Sequence, residues 1–105
     1  MERGEYVRRV LEAYRVTPGA CGAVRRGDRL LAGQLQERGV PLAAVENALT
    51  LAAVRRLVRP PGAPPLATVR SLAYFLPVLE EVLHLKAGPG YFRYLRNKLQ
   101  HLSAK

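Results

Sequence analysis

The sequence of 105 residues contains a single cysteine, Cys21, which cannot form a disulfide within the chain. Such sparse cysteine usage indicates a reducing compartment. Long apolar runs are also missing, because the longest, residues 72–79, is interrupted by Pro77 and is far shorter than the roughly 20 residues that a membrane helix needs. The first residues alternate charges and lack the apolar stretch of a signal peptide. We therefore expect a cytoplasmic protein without a membrane-spanning segment.

The sequence also lacks the residue patterns of a catalytic or metal-binding site. A nucleophile needs a base within hydrogen-bond reach and a third group that orients the base. The two histidines, His84 and His101, lie far from Cys21 in sequence and have no aspartate nearby. Glu81 and His84 have the Glu-x-x-His spacing of carboxylate-bridged metal sites, but the second motif that such sites require is absent. We expect no enzyme activity, no metal and no cofactor.

Acidic residues are scarce: eight oppose seventeen basic residues, so the net charge is +9. Most of the basic residues are arginines, whose planar guanidinium matches phosphate with a fork of donors. Charge of this strength favours a polyanionic partner, either nucleic acid or an acidic protein surface. The alternative explanation of the charge is a biased codon supply, which would enrich a chain in Arg, Ala, Gly, Pro and Val. In either case the net charge bears on partners and not on the fold.

Apolar residues recur at helical spacing through most of the chain, and no segment alternates long enough to require a strand. The pattern predicts an all-α fold, a compact bundle of four to six helices in one domain covering residues 1–105. Helices are predicted over residues 2–15, 25–38, 42–58 and 91–102. Another helix is predicted to be capped by Thr68 or Ser71 and to be kinked or restarted at Pro77. We expect Leu30, Leu31 and Leu35 of the second helix, Leu57 of the third and Leu83 of the fourth to lie on the buried faces of their helices.

Proline and glycine separate the predicted helices. Breaks are expected at residues 17–22, at a tight corner of residues 39–41 with Gly39 in the left-handed conformation, and at residues 86–90. Residues 59–65 contain four prolines and predict an extended, stiff strap within the one domain.

Residues 31–49 can also be interpreted as a helix-turn-helix motif. Two predicted helices meet at the corner, and Val45 follows Gly39 by six residues, a spacing found in many such motifs. Arg38 occupies a normally buried position of that motif, and the outer face of the second helix offers little positive charge. An ordinary helical hairpin is the simpler interpretation.

Three clusters of basic residues at helix ends or on polar helix faces are the candidate nucleic-acid-binding residues: Arg25, Arg26 and Arg29; Arg55, Arg56 and Arg59; and Arg93, Arg96 and Lys98. Arginines in such places can reach phosphates while their stems lie along the protein. The charges of the arginines in the first helix are expected to be partly offset by Glu5 and Glu12.

The last cluster is interleaved with Tyr91, Phe92 and Tyr94. Either these aromatics stack on exposed bases of a single strand, or Tyr91 and Phe92 anchor the helix in the core beside solvated arginines; Tyr94 is included in the candidate site.

Two segments, RGVPLAAVENAL (residues 38–49) and RSLAYFLPVLEEVL (residues 70–83), resemble the helical domain of DnaD-like replication accessory proteins. In that family a helix with a small and apolar face precedes a segment that ends in an aromatic pair and another helix. The resemblance covers about half of the chain, and the proline strap and the C-terminal segment YFRYLR (residues 91–96) depart from the family pattern. It implies an all-helical fold, DNA in preference to RNA as the partner, and a role in replication on plasmids, phages or other mobile elements.

The sequence therefore predicts a nucleic-acid-binding accessory protein that contacts the backbone through its arginine clusters. The alternative is a protein-interaction or assembly subunit of a larger nucleoprotein complex, in which the charge faces a nucleic acid held mainly by other chains.

The last basic cluster yields a direct test. Replacing both Arg93 and Arg96 with Glu is expected to weaken nucleic-acid binding strongly, because two phosphate-binding groups are removed and repulsion is added. Surface substitutions of this kind change stability by about 0.5 kcal/mol or less. We therefore expect the melting temperature to stay nearly constant while the affinity, measured by fluorescence anisotropy, falls. Unchanged affinity in the folded double variant would move the binding face to another cluster.

Overall fold

The computed structural model describes residues 1–85 and 89–103, and this part of the chain forms five α-helices. They are α1 (Arg3–Arg15), α2 (Arg26–Glu37), α3 (Leu42–Leu57), α4 (Leu76–His84) and α5 (Pro89–Ser103). A 3₁₀ turn, Leu72–Phe75, leads into α4, where Pro77 occupies the first turn. Within the described ranges there is no β-strand, only an isolated bridge between Ala20 and Val69. The prediction of an all-α bundle is confirmed.

Helix α3 is the centre of the bundle, with α1, α4 and α5 packed around it, while α2 packs on α1. Its buried residues lie on most of its circumference: Val45, Ala48, Leu49, Leu51, Ala52, Ala53 and Val54. The alanines among them allow neighbouring helices to approach closely. Because α3 is enclosed in this way, it does not protrude as a recognition helix. Helix α2 packs mainly on α1 and on the 3₁₀ turn, and not along α3 as in a helical hairpin.

The corner between α2 and α3 has the geometry that the sequence predicts. Gly39 adopts a φ of 75°, a left-handed conformation that favours glycine. The hydroxyl of Tyr6 donates a buried hydrogen bond of 2.8 Å to the carbonyl oxygen of Val40. This bond fixes α1 against the corner, so the three N-terminal helices form one packed unit.

The expectation that Leu30 lies in the core is wrong, since its side chain is 59% exposed. The buried stripe of α2 instead runs through Asp28, Ala32 and Leu35, at i, i+4 and i+7. Leu30 lies about 200° around the helix from Asp28 and therefore faces solvent. Leu35 is buried and Leu31 is half-buried, as expected, so sequence reasoning missed only the start of the stripe, where an aspartate stands in place of an apolar residue.

Two further leucines expected on buried faces are also substantially exposed. Leu57 is the last residue of α3, and Leu83 lies at the margin of an α4 stripe whose buried members are Leu79 and Val82. The predicted break at residues 86–90 falls partly on residues 86–88, which lie outside the described residues.

The proline-rich segment after α3 contains a turn. The N–H of Ala63 donates to the carbonyl oxygen of Pro60 at 3.1 Å, and Gly62 between them has a φ of 80°. The chain then returns to the bundle, because the N–H of Val69 donates to the Gly19 oxygen at 2.8 Å and the N–H of Cys21 donates to the Val69 oxygen at 2.9 Å.

The buried carboxylate of Asp28, only 3% exposed, joins this returning segment to α2. One oxygen accepts the backbone N–H of Arg25 at 2.9 Å, and the other accepts the N–H of Leu72 at the same distance. The first bond caps the start of α2 in the manner of a capping box. The second fixes the start of the 3₁₀ turn. Burial, with a smaller contribution from the Asp28 charge, raises the pKa of the neighbouring Tyr14 to about 12.

The substitution Asp28→Ala is expected to lower the free energy of unfolding by about 3 kcal/mol, because the buried Leu72 N–H loses its acceptor and α2 loses its cap. Urea denaturation followed by far-UV circular dichroism measures this change. Glu46→Ala, which removes an exposed carboxylate without an ion pair in the described residues, is the matched control and should change stability by about 0.5 kcal/mol or less. Equal small losses in both variants would contradict the role assigned to Asp28.

Candidate nucleic-acid interface

The arginines divide into those that the fold engages and those that it leaves without a carboxylate partner. Within the described residues four form ion pairs: Arg3 with Glu37, Arg15 with Glu12, Arg38 with Glu80, and Arg55 with Glu81. Two more donate hydrogen bonds to other groups, namely Arg56 and Arg96. The others form no ion pair within residues 1–85 and 89–103: Arg8, Arg9, Arg25, Arg26, Arg29, Arg59, Arg70 and Arg93.

An open groove of about 520 Å³ lies between α1 and the segment that begins α2, and we call it the α1–α2 groove. Its apolar lining includes Val7, Leu11 and Val24. Its charged lining consists of four arginines and one glutamate: Arg8, Arg9, Arg15, Arg29 and Glu12. The groove therefore combines an apolar surface with a local excess of three positive charges.

Helical spacing places Arg8, Glu12 and Arg15 along one side of α1, at i, i+4 and i+7. Glu12 accepts from Arg15 Nε at 3.0 Å and from Arg15 Nη2 at 2.7 Å. This hydrogen bonding holds the pKa of Glu12 below its usual value. Because Glu12 is paired with Arg15, Arg8 and Arg9 have no carboxylate partner among the residues that the structure describes.

On the opposite side of the groove, Arg29 directly follows the buried Asp28. Since Asp28 points into the core, the next side chain, turned by about 100°, is exposed along the groove. Arg25 and Arg26 stand exposed at the start of the same helix.

The grouping of Arg29 with α1 was not predicted from the sequence. That prediction grouped Arg29 only with Arg25 and Arg26, and it treated the α1 arginines as offset by Glu5 and Glu12. Glu5 forms no ion pair in the described part of the chain. The seven-residue spacing of Arg8 and Arg15 beside the apolar stripe was the available signal.

The second predicted cluster is largely engaged within the fold. Arg55 donates to both carboxylate oxygens of Glu81 and holds the pKa of that glutamate below its usual value. Arg56 donates to the Ala67 carbonyl oxygen at 2.7 Å and to the Tyr74 hydroxyl at 3.1 Å, with its guanidinium 5.5 Å from the centre of the Tyr74 ring. These two arginines link α3 to α4 and to the segment after the prolines, whereas Arg59 makes no such link.

The third predicted cluster lies on α5. Arg96 donates to Asn47 Oδ1 at 3.0 Å and lines a second groove of about 470 Å³ between α1, α3 and α5. Arg93 is exposed, and Lys98 Nζ lies 5.9 Å from the centre of the Tyr94 ring. Tyr94 is itself exposed, whereas Phe92 packs against the core. The expected core-anchoring role therefore belongs to Phe92.

In the part of the chain that the structure describes, no three His, Cys, Asp or Glu side chains come together to hold a metal ion. No helix in those residues is long and apolar enough to cross a bilayer. Comparisons of the chain with protein-family models, curated proteins and solved structures give no match.

The division between engaged and unpaired arginines predicts different effects on stability. Arg56→Ala is expected to lower the free energy of unfolding by about 1–2 kcal/mol, because the guanidinium bonds to the Ala67 oxygen and the Tyr74 hydroxyl are removed. Arg29→Ala removes an exposed side chain without an internal partner and should cost about 0.5 kcal/mol or less. Both values are obtained from urea denaturation. A larger loss for Arg29→Ala than for Arg56→Ala would contradict the division.

Proposed function

We propose that this protein is a nucleic-acid-binding accessory protein whose α1–α2 groove holds the sugar–phosphate backbone. The observation that carries the proposal is the convergence of Arg8, Arg9 and Arg29 on one groove, with no carboxylate partner for any of them in the described residues. Charged side chains held near one another repel, so their convergence is best explained by an anionic ligand that bridges them.

The lining of the groove suits a phosphodiester chain. Guanidinium groups donate paired hydrogen bonds to phosphate oxygens, and these charge-assisted bonds are stronger than neutral ones. The apolar surface of Val7, Leu11 and Val24 offers van der Waals contact to the sugars between the phosphates. Arg15, held by Glu12, adds a donor whose orientation is fixed before binding.

Contacts of this kind position a protein on nucleic acid without reading its sequence. The net charge of +9 would accelerate encounter with any polyanion at low salt. Under this proposal the protein acts in the cytoplasm, and the resemblance to DnaD-like proteins supports DNA over RNA and a role in replication on a mobile element.

A second candidate function is that of an assembly subunit in a larger nucleoprotein complex. Large exposed apolar side chains are concentrated at the end of α3, in the proline-rich segment and around α4: Leu57, Val58, Leu66, Tyr74, Leu83 and Leu85. Exposed apolar surface of this kind is typical of protein contacts. Such a subunit would bind naked oligonucleotides weakly.

The double substitution of Arg8 and Arg29 with Glu tests the proposed groove. Because neutralised phosphates release counterions, affinity for a fluorescein-labelled oligonucleotide should fall steeply with increasing salt for the natural protein. In the double variant we expect weaker binding. The slope of log Kd against the logarithm of the salt concentration should also fall by about 1 for each phosphate that the variant no longer neutralises. Fluorescence anisotropy over a series of salt concentrations, with DNA and RNA of the same sequence, measures both.

The matched control is the double substitution of Arg59 and Arg70 with Glu, which changes the net charge equally at arginines that also lack ion pairs in the described residues. Its affinity should remain closer to that of the natural protein. Equal losses of affinity in the two double variants would mean that overall charge, and not the α1–α2 groove, governs binding. If the affinity of the natural protein did not change with salt, the proposal would be contradicted altogether.

A further inference from the structure

We infer that α5 gives this protein a preference for single-stranded over duplex nucleic acid, by stacking unpaired bases on Tyr94 and Tyr91. The inference rests on the proposed function, because the α1–α2 groove is taken to supply the phosphate contacts. It adds a separate interaction, made with the faces of bases.

Tyr94 is a large aromatic side chain that the fold leaves in solvent. It is 57% exposed and Tyr91 is 41% exposed, whereas Tyr6 and Tyr14 are buried. Leu95 is the buried anchor of the same helix. The core therefore does not depend on the ring of Tyr94, and this ring is accessible to a ligand in solution.

The charged side chains that α5 itself contributes around these rings are all positive. Helical spacing places Tyr91, Tyr94 and Lys98 on one side of α5, at i, i+3 and i+7. The Lys98 ammonium lies 5.9 Å from the Tyr94 ring centre, within range of a cation–π interaction that helps hold the ring in place. The adjacent Arg93 has no ion pair in the described residues, and the sequence of α5, residues 89–103, contains no acidic residue.

This combination of aromatic faces and cations fits single strands better than duplexes. In a duplex each base is already stacked between its neighbours, so its face is closed to a tyrosine ring. In a single strand the base can stack on the ring while Lys98 or Arg93 meets its phosphate. An acidic protein segment would satisfy the charges but would give the tyrosine rings no base to stack on.

An abasic oligonucleotide separates base stacking from phosphate binding, because it carries the same number of phosphates and no bases. Fluorescence anisotropy compares three labelled probes of about 20 nucleotides: oligo-dT, its abasic counterpart and a duplex. We expect the natural protein to bind oligo-dT about tenfold more tightly than the abasic probe, and more tightly than the duplex. Tyr94→Ala should reduce the affinity for oligo-dT toward that for the abasic probe and leave abasic binding unchanged, while Tyr94→Phe should retain the difference.

Leu66→Ala, which truncates an exposed apolar side chain of the proline-rich segment, is the control and should leave all three affinities unchanged. The sequence contains no tryptophan, so quenching of tyrosine emission by oligo-dT and not by the abasic probe gives a second readout. Equal affinity for oligo-dT and the abasic probe, unaffected by Tyr94→Ala, would overturn the inference and leave the proposed function standing. Failure to bind any of the probes at low salt would overturn both.

Discussion

The buried carboxylate of Asp28 is the interaction on which the arrangement of the charged surface depends. It accepts the backbone N–H groups of Arg25 and Leu72 and so fixes the start of α2 against the chain that returns after the prolines. Because Asp28 points inward, Arg29 is directed to the opposite side of the groove from Arg8. A single polar contact in the core thus determines where a surface arginine lies.

Ion pairing distinguishes the surface near α4 from the α1–α2 groove. Glu80 and Glu81 of α4 neutralise Arg38 and Arg55, and Arg56 is held by Tyr74, so the charges near α4 stabilise the fold. The α1–α2 groove has only Glu12 to oppose four arginines. Positive charge is therefore distributed unevenly over the described surface, which the net charge of the chain does not reveal. The local excess at the α1–α2 groove is the physical basis of the proposed function.

Local patterns predicted the helices well, because apolar periodicity and the positions of Gly39 and Pro77 act over a few residues. They failed where tertiary contacts decide. The buried stripe of α2 begins with Asp28, which no apolar pattern reveals, because its two partners include an N–H from a segment 44 residues away. Likewise, sequence spacing grouped Arg55 and Arg56 as free cations, whereas the fold gives them partners on later segments. The candidate groove joins two helices, and only their packing brings Arg29 to Arg8.

The most direct test of the central claim is a titration of the ¹⁵N-labelled protein with oligo-dT, followed by the chemical shifts of its backbone amides. We expect large changes on residues 7–12 and 24–29, which line or adjoin the α1–α2 groove, and these changes should diminish as salt is added. Stacking of bases on α5 would add changes around Tyr91 and Tyr94. Changes confined to the exposed apolar residues around Leu57, Leu66 and Tyr74, or no changes at low salt, would contradict it.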